Sequence, residues 1–375
     1  MRLHVDQRHD RVLELVRERG SLRVAELAEE LGMSAVTLRR DVEALAAQGL
    51  VERLHGAVVW PTGESRPAPA AAAAPAEGLV VGMVVPTTEY YYADVVRGAR
   101  ETVEAAGARL TIGLSRYLPD EDAAQARRLV STGADGLLLT PSWEHGRPEP
   151  GEGLWAAEQG TPVVLVERWA PLGHPAASLD RVRSDHAHGA AEAVAHLAGL
   201  GHRGIALAVQ DSPTAPRLRA GYRAAVEALG LDPVPGSPGG GDPARSEADR
   251  FGRTLEYLCQ GVASGTVTAA IVHSDADAIV LIPRLQARGV RVPEDLAVIT
   301  YDDEVAGLAD LPLTAVSPDK YAVGAAAARL LLSRLGVRGR GAAGPRDGGR
   351  ASRRHLDILP TLRIRVSCGA DRASR

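Results

Sequence analysis

The stretch 296–303, LAVITYDD, decides the fold of the larger part of the chain: a nearly continuous apolar run leads directly into Tyr301, Asp302 and Asp303. Runs of the same kind occur at residues 79–85, 110–114, 136–140, 162–166, 204–208 and 269–272, and helical patterns lie between them. Apolar strands that alternate with helices indicate a parallel α/β sheet, because helices cover both faces of such a sheet. The number of strands is enough for two sheets.

The residues that directly follow these strands are the candidates for a ligand site, because ligands bind beyond the carboxyl ends of parallel strands. They are Thr87, Glu89, Tyr90, Tyr91, Tyr92, Ser142, Trp143, Glu167, Arg168, Trp169, Ser274, Asp275, Asp277, Tyr301, Asp302 and Asp303. Among them the predicted effector contacts are Tyr91, Tyr92, Ser142, Glu167, Arg168, Ser274, Asp275 and Asp302. Carboxylates accept hydrogen bonds from hydroxyl groups, arginine donates them, and aromatic rings stack on the C–H face of a sugar. The set therefore predicts a site for a polyhydroxylated ligand such as a sugar, and it would also suit a nucleoside. Each of these side chains could instead start or cap a helix.

The first 60 residues have a different pattern. Apolar residues recur with helical spacing at 7–19, at 24–31 and after Ser34, and residues 50–59 form a pattern of two short strands around Gly56. Three helices and a hairpin are typical of a winged helix-turn-helix, whose third helix enters the major groove of DNA. The predicted DNA contacts are Ser34, Ala35, Thr37, Arg39 and Arg40 on the third helix, and Arg53 and His55 on the hairpin. The alternative is a three-helix unit that serves only in packing or dimerisation.

Proline and alanine separate these two parts of the chain. Four prolines surround a run of five alanines between residues 61 and 78, and closely spaced prolines prevent a stable helix. We therefore predict a DNA-binding domain at 1–60, a linker at 61–78, a ligand-binding domain at 79–368 and a tail at 369–375.

The composition excludes several other classes of protein. Hydrophobic residues make up 45% and charged residues 24%, which is ordinary for a globular protein and excludes global disorder. No apolar run is long enough for a transmembrane helix, and the amino terminus lacks the pattern of a signal peptide. Two cysteines are too few for a disulfide scaffold, which favours a reduced, cytoplasmic location. With a net charge of −4, any DNA contact must come from a local patch.

The head resembles a known family of DNA-binding domains. The segment 24–34, VAELAEELGMS, is followed by 37–42, TLRRDV, and later by 55–57, HGA. This combination resembles the DeoR-type helix-turn-helix over about residues 6–59, with Ala57 in place of a second glycine. The resemblance implies that the head binds operator DNA.

The large unit is similar to the effector domains of LacI/GalR regulators. The matching stretches are 182–186 (VRSDH), 200–206 (LGHRGIA), 292–303 (VPEDLAVITYDD), 312–316 (PLTAV) and 359–362 (LPTL). The resemblance covers residues 79–368 and implies a periplasmic-binding-protein-like domain with two lobes hinged around a ligand cleft. It also implies three crossings between the lobes, near Ser184, Ser317 and Leu335.

The same resemblance implies a set of effector contacts. They are Tyr91 and Tyr92, the pair Glu167 and Arg168, Asp185, the pair Ser274 and Asp275, Asp302, and an arginine that is either Arg217 or Arg219. Glu167 stands where the family has aspartate, and Ser274 stands where it has asparagine, so the identity of the family's sugars does not transfer. The family's own head and hinge helix are replaced here by the DeoR-type head and the linker.

The predicted fold class is therefore α/β: a small winged helix-turn-helix plus a two-lobed, doubly wound parallel-sheet domain. The predicted function is a ligand-responsive transcriptional regulator, by preference a repressor, that binds operator DNA as a homodimer and takes a sugar-like effector. Neither a P-loop nor a G-x-S-x-G turn occurs, and we predict no catalytic residue, metal site, cofactor or membrane contact. The alternatives are a regulator that senses a nucleoside, and a sugar- or nucleoside-processing enzyme with a DNA-binding head.

Overall fold

The computed structural model describes residues 11–13, 15–16, 21–23, 27–28, 30–31, 33, 38, 41–42, 45, 52–54, 57–59, 78–234, 247–337 and 352–370. The chain divides into two compact units, Met1–Ala71 and Ala72–Arg375. The division falls within the predicted linker, while the predicted domain limits stay predictions.

The amino-terminal unit contains a three-stranded antiparallel sheet in the order β1–β3–β2, formed by β1 (Ser21–Arg23), β2 (Glu52–Leu54) and β3 (Ala57–Val59). The residues described within 11–13, 15–16, 27–30 and 38–45 are helical. Val12, Leu27, Leu38 and Val58 are fully buried in one apolar core that helices and sheet share. The predicted hairpin around Gly56 is confirmed. Strand β1 could not be predicted, because three residues are too few for an alternating pattern.

The first lobe of the large unit is built on a six-stranded parallel sheet. Its strands are β4 (Val80–Val85), β5 (Arg109–Leu114), β6 (Gly136–Leu139), β7 (Val163–Val166), β8 (Asp180–Ser184) and β13 (His355–Ile358), in the order β13–β8–β7–β6–β4–β5. Helices α1 (Tyr91–Ala105) and α7 (Lys320–Arg334) share one apolar core with the sheet, and α2 (Pro119–Ser131) packs into a second. Short 3-10 helices occur at Leu154–Ala157 and Pro175–Ser178.

The second lobe is built on a five-stranded sheet in the order β14–β12–β11–β10–β9. Its strands are β9 (Ile205–Val209), β10 (Ala269–His273), β11 (Ala297–Tyr301), β12 (Thr314–Ser317) and the antiparallel β14 (Thr361–Arg363). Helices α3 (His186–Gly199) and α4 (Ala215–Ala228) share one core, and α5 (Glu247–Ala263) and α6 (Asp275–Ala287) share the other. Short 3-10 helices occur at Ala306–Leu308 and Val366–Cys368.

The chain crosses between the lobes three times. It leaves the first lobe after Ser184, at the end of β8, and returns after Ser317, at the end of β12. Both crossings confirm the prediction. The third prediction, near Leu335, is wrong: Leu335 packs in the core of the first lobe, and β13 pairs with β8 before the chain crosses at residues 359–360. Strand β13 extends the first sheet and so places residues 355–358 in that lobe.

Helices α1 and α7 approach closely through two glycines, Gly98 and Gly324. A Cβ atom on Gly324 would lie 1.9 Å from the carbonyl oxygen of Val95. We expect Gly324→Ala to lower the free energy of unfolding by about 1–3 kcal/mol, because the helices must separate. Chemical denaturation measures this decrease. The control is Gly252→Ala in the interior of α5, where the new methyl group would meet no atom within 4 Å. We expect this variant to raise the free energy of unfolding by about 0.5–1 kcal/mol, because alanine favours a helix more than glycine does.

Candidate functional site

A cavity of about 160 Å³ lies between the lobes, at the carboxyl ends of both parallel sheets. Its walls come from residues that follow β4, β5, β6, β7, β9 and β11, from the end of β10 and from the first crossing. It is lined by Tyr90, Tyr91, Tyr92, Tyr117, Gly146, Glu167, Arg168, Trp169, Arg183, Ser184, His186, Ser212, Pro213, Thr214, Arg217, His273 and Asp302. Four of the chain's eight tyrosines are among these residues, in a protein with only 3% aromatic residues.

The structure brings six of the predicted effector residues together at this cavity. They are Tyr91, Tyr92, Glu167, Arg168, Arg217 and Asp302. Of the two arginines between which the sequence leaves the choice open, Arg217 lines the cavity, whereas Arg219 donates to Asp211 at 3.1 Å. The assignment of these six side chains to ligand binding stays a prediction.

The other predicted residues support the walls rather than line them. Ser142 donates its backbone N–H and its hydroxyl to Asp122, and Asp185 accepts from the backbone N–H of His188 at the start of α3. Asp185 also pairs with Arg217 at 3.4 Å. Ser274 caps helix α6. Their polar atoms are thus used within the protein.

Asp275, the last of the predicted set, is completely buried and joins the lobes. One of its oxygens accepts from the hydroxyl of Tyr90, in the first lobe. Its other oxygen accepts from the backbone N–H groups of Val305 at 2.7 Å and Ala306 at 3.1 Å. Asp275 therefore does not face the cavity but anchors one of its walls.

Three buried polar atoms of residues that line the cavity have no partner among the described residues: Arg168 Nη2, Arg217 Nε and Asp302 Oδ1. Arg168 is 2% exposed. Its Nε donates to the carbonyl of Pro141 at 2.6 Å, and its Nη1 donates to the hydroxyl of Tyr92 at 3.3 Å. Its Nη2 has no acceptor. Asp302 is 4% exposed; Oδ2 lies 3.5 Å from His273 Nε2, and Oδ1 has no donor. Buried polar atoms are nearly always hydrogen-bonded. Two donors, on Arg168 and Arg217, and one acceptor, on Asp302, are therefore available to a ligand.

Glu167 lines the cavity, but both of its carboxylate oxygens already accept hydrogen bonds. Oε1 accepts from Tyr91 at 2.7 Å and from the hydroxyl of Ser184 at 2.8 Å, and Oε2 accepts from the backbone N–H of Ser184 at 2.9 Å. His186 Nε2 lies 3.7 Å from Oε2. Glu167 thus connects the wall of the cavity to the first crossing between the lobes.

This network affects the acid stability of the protein. Burial alone would raise the pKa of the Glu167 carboxyl, but His186, Tyr91 and the Ser184 N–H outweigh it and hold the pKa below its ordinary value of 4.5. A carboxyl group whose pKa is lower in the folded protein than in the unfolded protein stabilises the fold at pH values above the unfolded-state pKa. This contribution is lost as the pH falls through the folded-state pKa. We expect the free energy of unfolding of Glu167→Gln to fall less than that of the wild type between about pH 5 and pH 3. Urea denaturation measures this, with the exposed Glu104→Gln as the control that should follow the wild type.

Several cavity residues are absent from the predicted set. Tyr117, Ser212 and Thr214 follow β5 and β9, so the rule for residues after a strand would have found them. The same rule does name Tyr90 and Trp169, although the predicted effector contacts leave them out. Other cavity residues lie within a strand or at the start of a helix, so the sequence gives no comparable indication of them. Arg183 lies within β8 and is held by Asp357, with two hydrogen bonds at 3.0 and 2.8 Å. His186 and His273 reach the cavity from the start of a helix and the end of a strand.

The backbone at the cavity is unusual. Tyr90, Tyr117, Glu167 and Asp302 have positive φ angles of 50°, 60°, 54° and 87°. Residues other than glycine rarely adopt these angles, which cost about 1–3 kcal/mol each and concentrate at functional sites. All four follow strands of the two sheets, where they turn the chain toward the cavity.

The predicted DNA contacts lie in the amino-terminal unit. Ser34, Ala35, Thr37, Arg39, Arg40 and His55 fall outside the described residues, and of Arg53 only the backbone, in β2, is described. Their roles stay predictions.

Comparison with known proteins identifies both parts of the chain. Residues 8–64 match the DeoR-like helix-turn-helix domain, and residues 194–368 match the periplasmic binding protein-like domain. The HTH-type transcriptional regulator CelR of Thermobifida fusca is 30% identical over 250 residues, which cover 66% of this chain and 70% of that protein. The chain belongs to the helix-turn-helix transcriptional regulators with a periplasmic-binding-protein-like domain.

Two further proteins, a curated relative and a solved structure, are similar to this regulator. The arabinose metabolism transcriptional repressor of Geobacillus stearothermophilus is 25% identical over 327 residues, which cover 83% of each chain. A solved structure described as the transcriptional regulator CelR–cellobiose complex has a TM-score of 0.62 at 24% identity and covers 98% of this regulator and 100% of that chain. The similarity to this solved structure shows a shared fold. The relatives are transcriptional regulators and not enzymes, which sets aside the enzyme alternative.

Membrane spans and metal clusters are both absent from the described residues. No helix in the described part of the regulator has the length and apolarity needed to cross a membrane. Within those same ranges, no group of three or more histidine, cysteine or acidic side chains is placed to hold a metal ion.

Proposed function

We propose that this regulator represses transcription in the cytoplasm as a homodimer, and that a small sugar in the cleft changes its affinity for operator DNA. The observation that carries the sugar assignment is the set of three unpartnered buried atoms, Arg168 Nη2, Arg217 Nε and Asp302 Oδ1, in a cavity with an aromatic wall. A sugar hydroxyl is both donor and acceptor, so the hydroxyls of one ring can satisfy all three atoms while its C–H face stacks on tyrosine. A relative named as an arabinose metabolism repressor and a similar solved structure described as a cellobiose complex support a sugar.

The proposed mechanism is closure of the lobes around the ligand. A ligand that contacts both lobes favours the closed arrangement, because Arg168 belongs to the first lobe, whereas Arg217 and Asp302 belong to the second. The ligand can shift DNA affinity only by its differential affinity for the two states, typically about 1–3 kcal/mol. In the dimer, closure alters how the two heads are presented to the operator, and the linker sets their reach.

At the operator, Ser34, Ala35, Thr37, Arg39 and Arg40 are proposed to contact the major groove. Arg53 and His55 are proposed to contact the neighbouring backbone or minor groove. Two heads of a dimer would then bind a repeated or pseudo-palindromic site cooperatively.

The experiment that tests this function begins with selection of bound fragments from genomic DNA by the full-length regulator. Gel shifts on the selected operator are then repeated with a panel of sugars and nucleosides. We expect one sugar to change the operator dissociation constant by about 5–150-fold. The proposal fails if nucleosides alone have this effect, or if the regulator selects no DNA sequence. Analytical ultracentrifugation of the free protein tests the homodimer.

A further inference from the structure

The size and rim of the cavity narrow the class of sugar. Resting on the proposed function, we infer that the site takes a single sugar ring, and that the side chain of Tyr90, bonded across the cleft to Asp275, blocks the path of a second ring. The effector is therefore a monosaccharide or a close analogue, and disaccharides are excluded.

The first support is the volume. Pockets for drug-sized ligands measure about 300–1,000 Å³, whereas this cavity measures about 160 Å³. The long, charged side chains of Arg168, Arg183 and Arg217 form part of its walls and are held there by hydrogen bonds. These hydrogen bonds hold the three side chains in place, so the cavity keeps this size while the lobes are closed.

The second support is the position of Tyr90 at the rim. Tyr90 is 40% exposed, so its ring lies between the cavity and solvent, and its hydroxyl donates to Asp275 in the opposite lobe. The acceptor is rigid, since Asp275 is fully buried and also holds the backbone N–H groups of Val305 and Ala306. The ring thus occupies the exposed side of the cavity, and its hydroxyl spans from the first lobe to the second.

The third support is a direct approach of the two backbones at the same cavity. A Cβ atom on Gly146, in the first lobe, would lie 2.5 Å from the carbonyl oxygen of Pro213, in the second. The lobes therefore meet here without an intervening side chain. A sugar chain cannot pass between surfaces that already touch each other.

Thermal shifts of the full-length regulator test the inference with matched sugars. The pairs are glucose with cellobiose and maltose, galactose with lactose, and xylose with xylobiose; nucleosides are measured alongside. We expect a monosaccharide at about 100 times its dissociation constant to raise Tm by roughly 5 °C or more, and the disaccharides to have no effect.

Two substitutions of Tyr90 separate the ring from its hydrogen bond. Glycine accommodates the positive φ of this position, so Tyr90→Gly keeps the backbone while it removes the ring. We expect this variant to bind a disaccharide at least about 10-fold more tightly than the wild type does. The matched control, Tyr90→Phe, keeps the ring and removes the bond to Asp275; its affinity for the monosaccharide should fall about 10-fold while disaccharides remain excluded.

The outcomes distinguish this inference from the proposed function. A wild-type protein that binds a disaccharide as tightly as its constituent monosaccharide overturns the single-ring site but leaves the sugar-responsive regulator intact. Failure of Tyr90→Gly to gain disaccharide binding overturns the role of the ring. Thermal shifts with nucleosides alone, or with no compound in the panel, overturn the proposed function and the inference together.

Discussion

Replacing Arg39 and Arg40 together by alanine is expected to abolish operator binding while effector binding stays at the wild-type level. Both arginines belong to the segment TLRRDV, within the range that matches the DeoR-like helix-turn-helix domain. A bidentate pair of hydrogen bonds from arginine to a base contributes about 1–3 kcal/mol, so removing both side chains weakens binding by roughly 30-fold or more. Gel shifts on the selected operator measure the change, and calorimetry with the effector measures ligand binding.

A charge-matched control distinguishes recognition in the groove from bulk electrostatics. Arg97→Ala with Arg288→Ala removes the same two charges from exposed positions of the large unit. We expect its operator affinity to stay close to that of the wild type. If Arg39 and Arg40 bind phosphates rather than bases, the double variant instead binds all DNA sequences less tightly, and the slope of log affinity against log salt becomes shallower by about 0.9 for each phosphate that is no longer neutralised. Unchanged operator affinity in the double variant would refute the groove assignment.

The second large effect is expected at Asp302. In Asp302→Asn the side chain keeps its shape and tolerates the positive φ, but the free Oδ1 acceptor loses its charge. A hydrogen bond to a charged group contributes about 1.5–3 kcal/mol, so effector affinity should fall roughly 10-fold to 100-fold. The variant should still bind the operator in the absence of effector. Isothermal calorimetry and a gel shift with and without effector measure the two quantities.

The next residue along the chain supplies the matched control. Asp303 is held by Arg365 at 2.7 Å and by Arg363 at 3.2 Å, away from the lining of the cavity. Asp303→Asn should lower the free energy of unfolding by roughly 1–3 kcal/mol and leave effector affinity unchanged. Asp302→Asn should show the reverse. If both variants lose effector affinity equally, the assignment of Asp302 to the ligand is wrong.

The apolar strands of the large unit could be predicted from the sequence because burial on both faces leaves an unbroken pattern. The runs at 79–85, 136–140 and 296–300 correspond to β4, β6 and β11. Strand β8 has no such pattern, since its residues include Asp180, Arg181 and Arg183. Asp180 is fully buried, and its charge is balanced by Arg334 at 2.7 Å, 154 residues further along the chain. Partners so distant in sequence leave no local signal.

The site could be predicted in part, because strand ends meet at one edge of a sheet. Which residues belong to the site depends on the direction in which each side chain points and on how far it extends. Arg217 and Arg219 are two residues apart on helix α4, where 3.6 residues complete a turn, so they point in nearly opposite directions. Ser142 and Ser274 also follow strands, but their polar groups are used by Asp122 and by the cap of α6. Spacing along the chain does not reveal such competition.

The left-handed backbone at the cavity limits how this regulator can diverge. At Tyr90, Tyr117, Glu167 and Asp302, substitution by a β-branched residue would be penalised in folding whatever its fit to a new ligand, while glycine and asparagine would be tolerated. Ser212, Thr214 and Arg217 line the same cavity without positive φ angles. Gene duplicates that acquire new effectors should therefore differ first at unconstrained positions such as Ser212, Thr214 and Arg217, and the four left-handed positions should change more slowly.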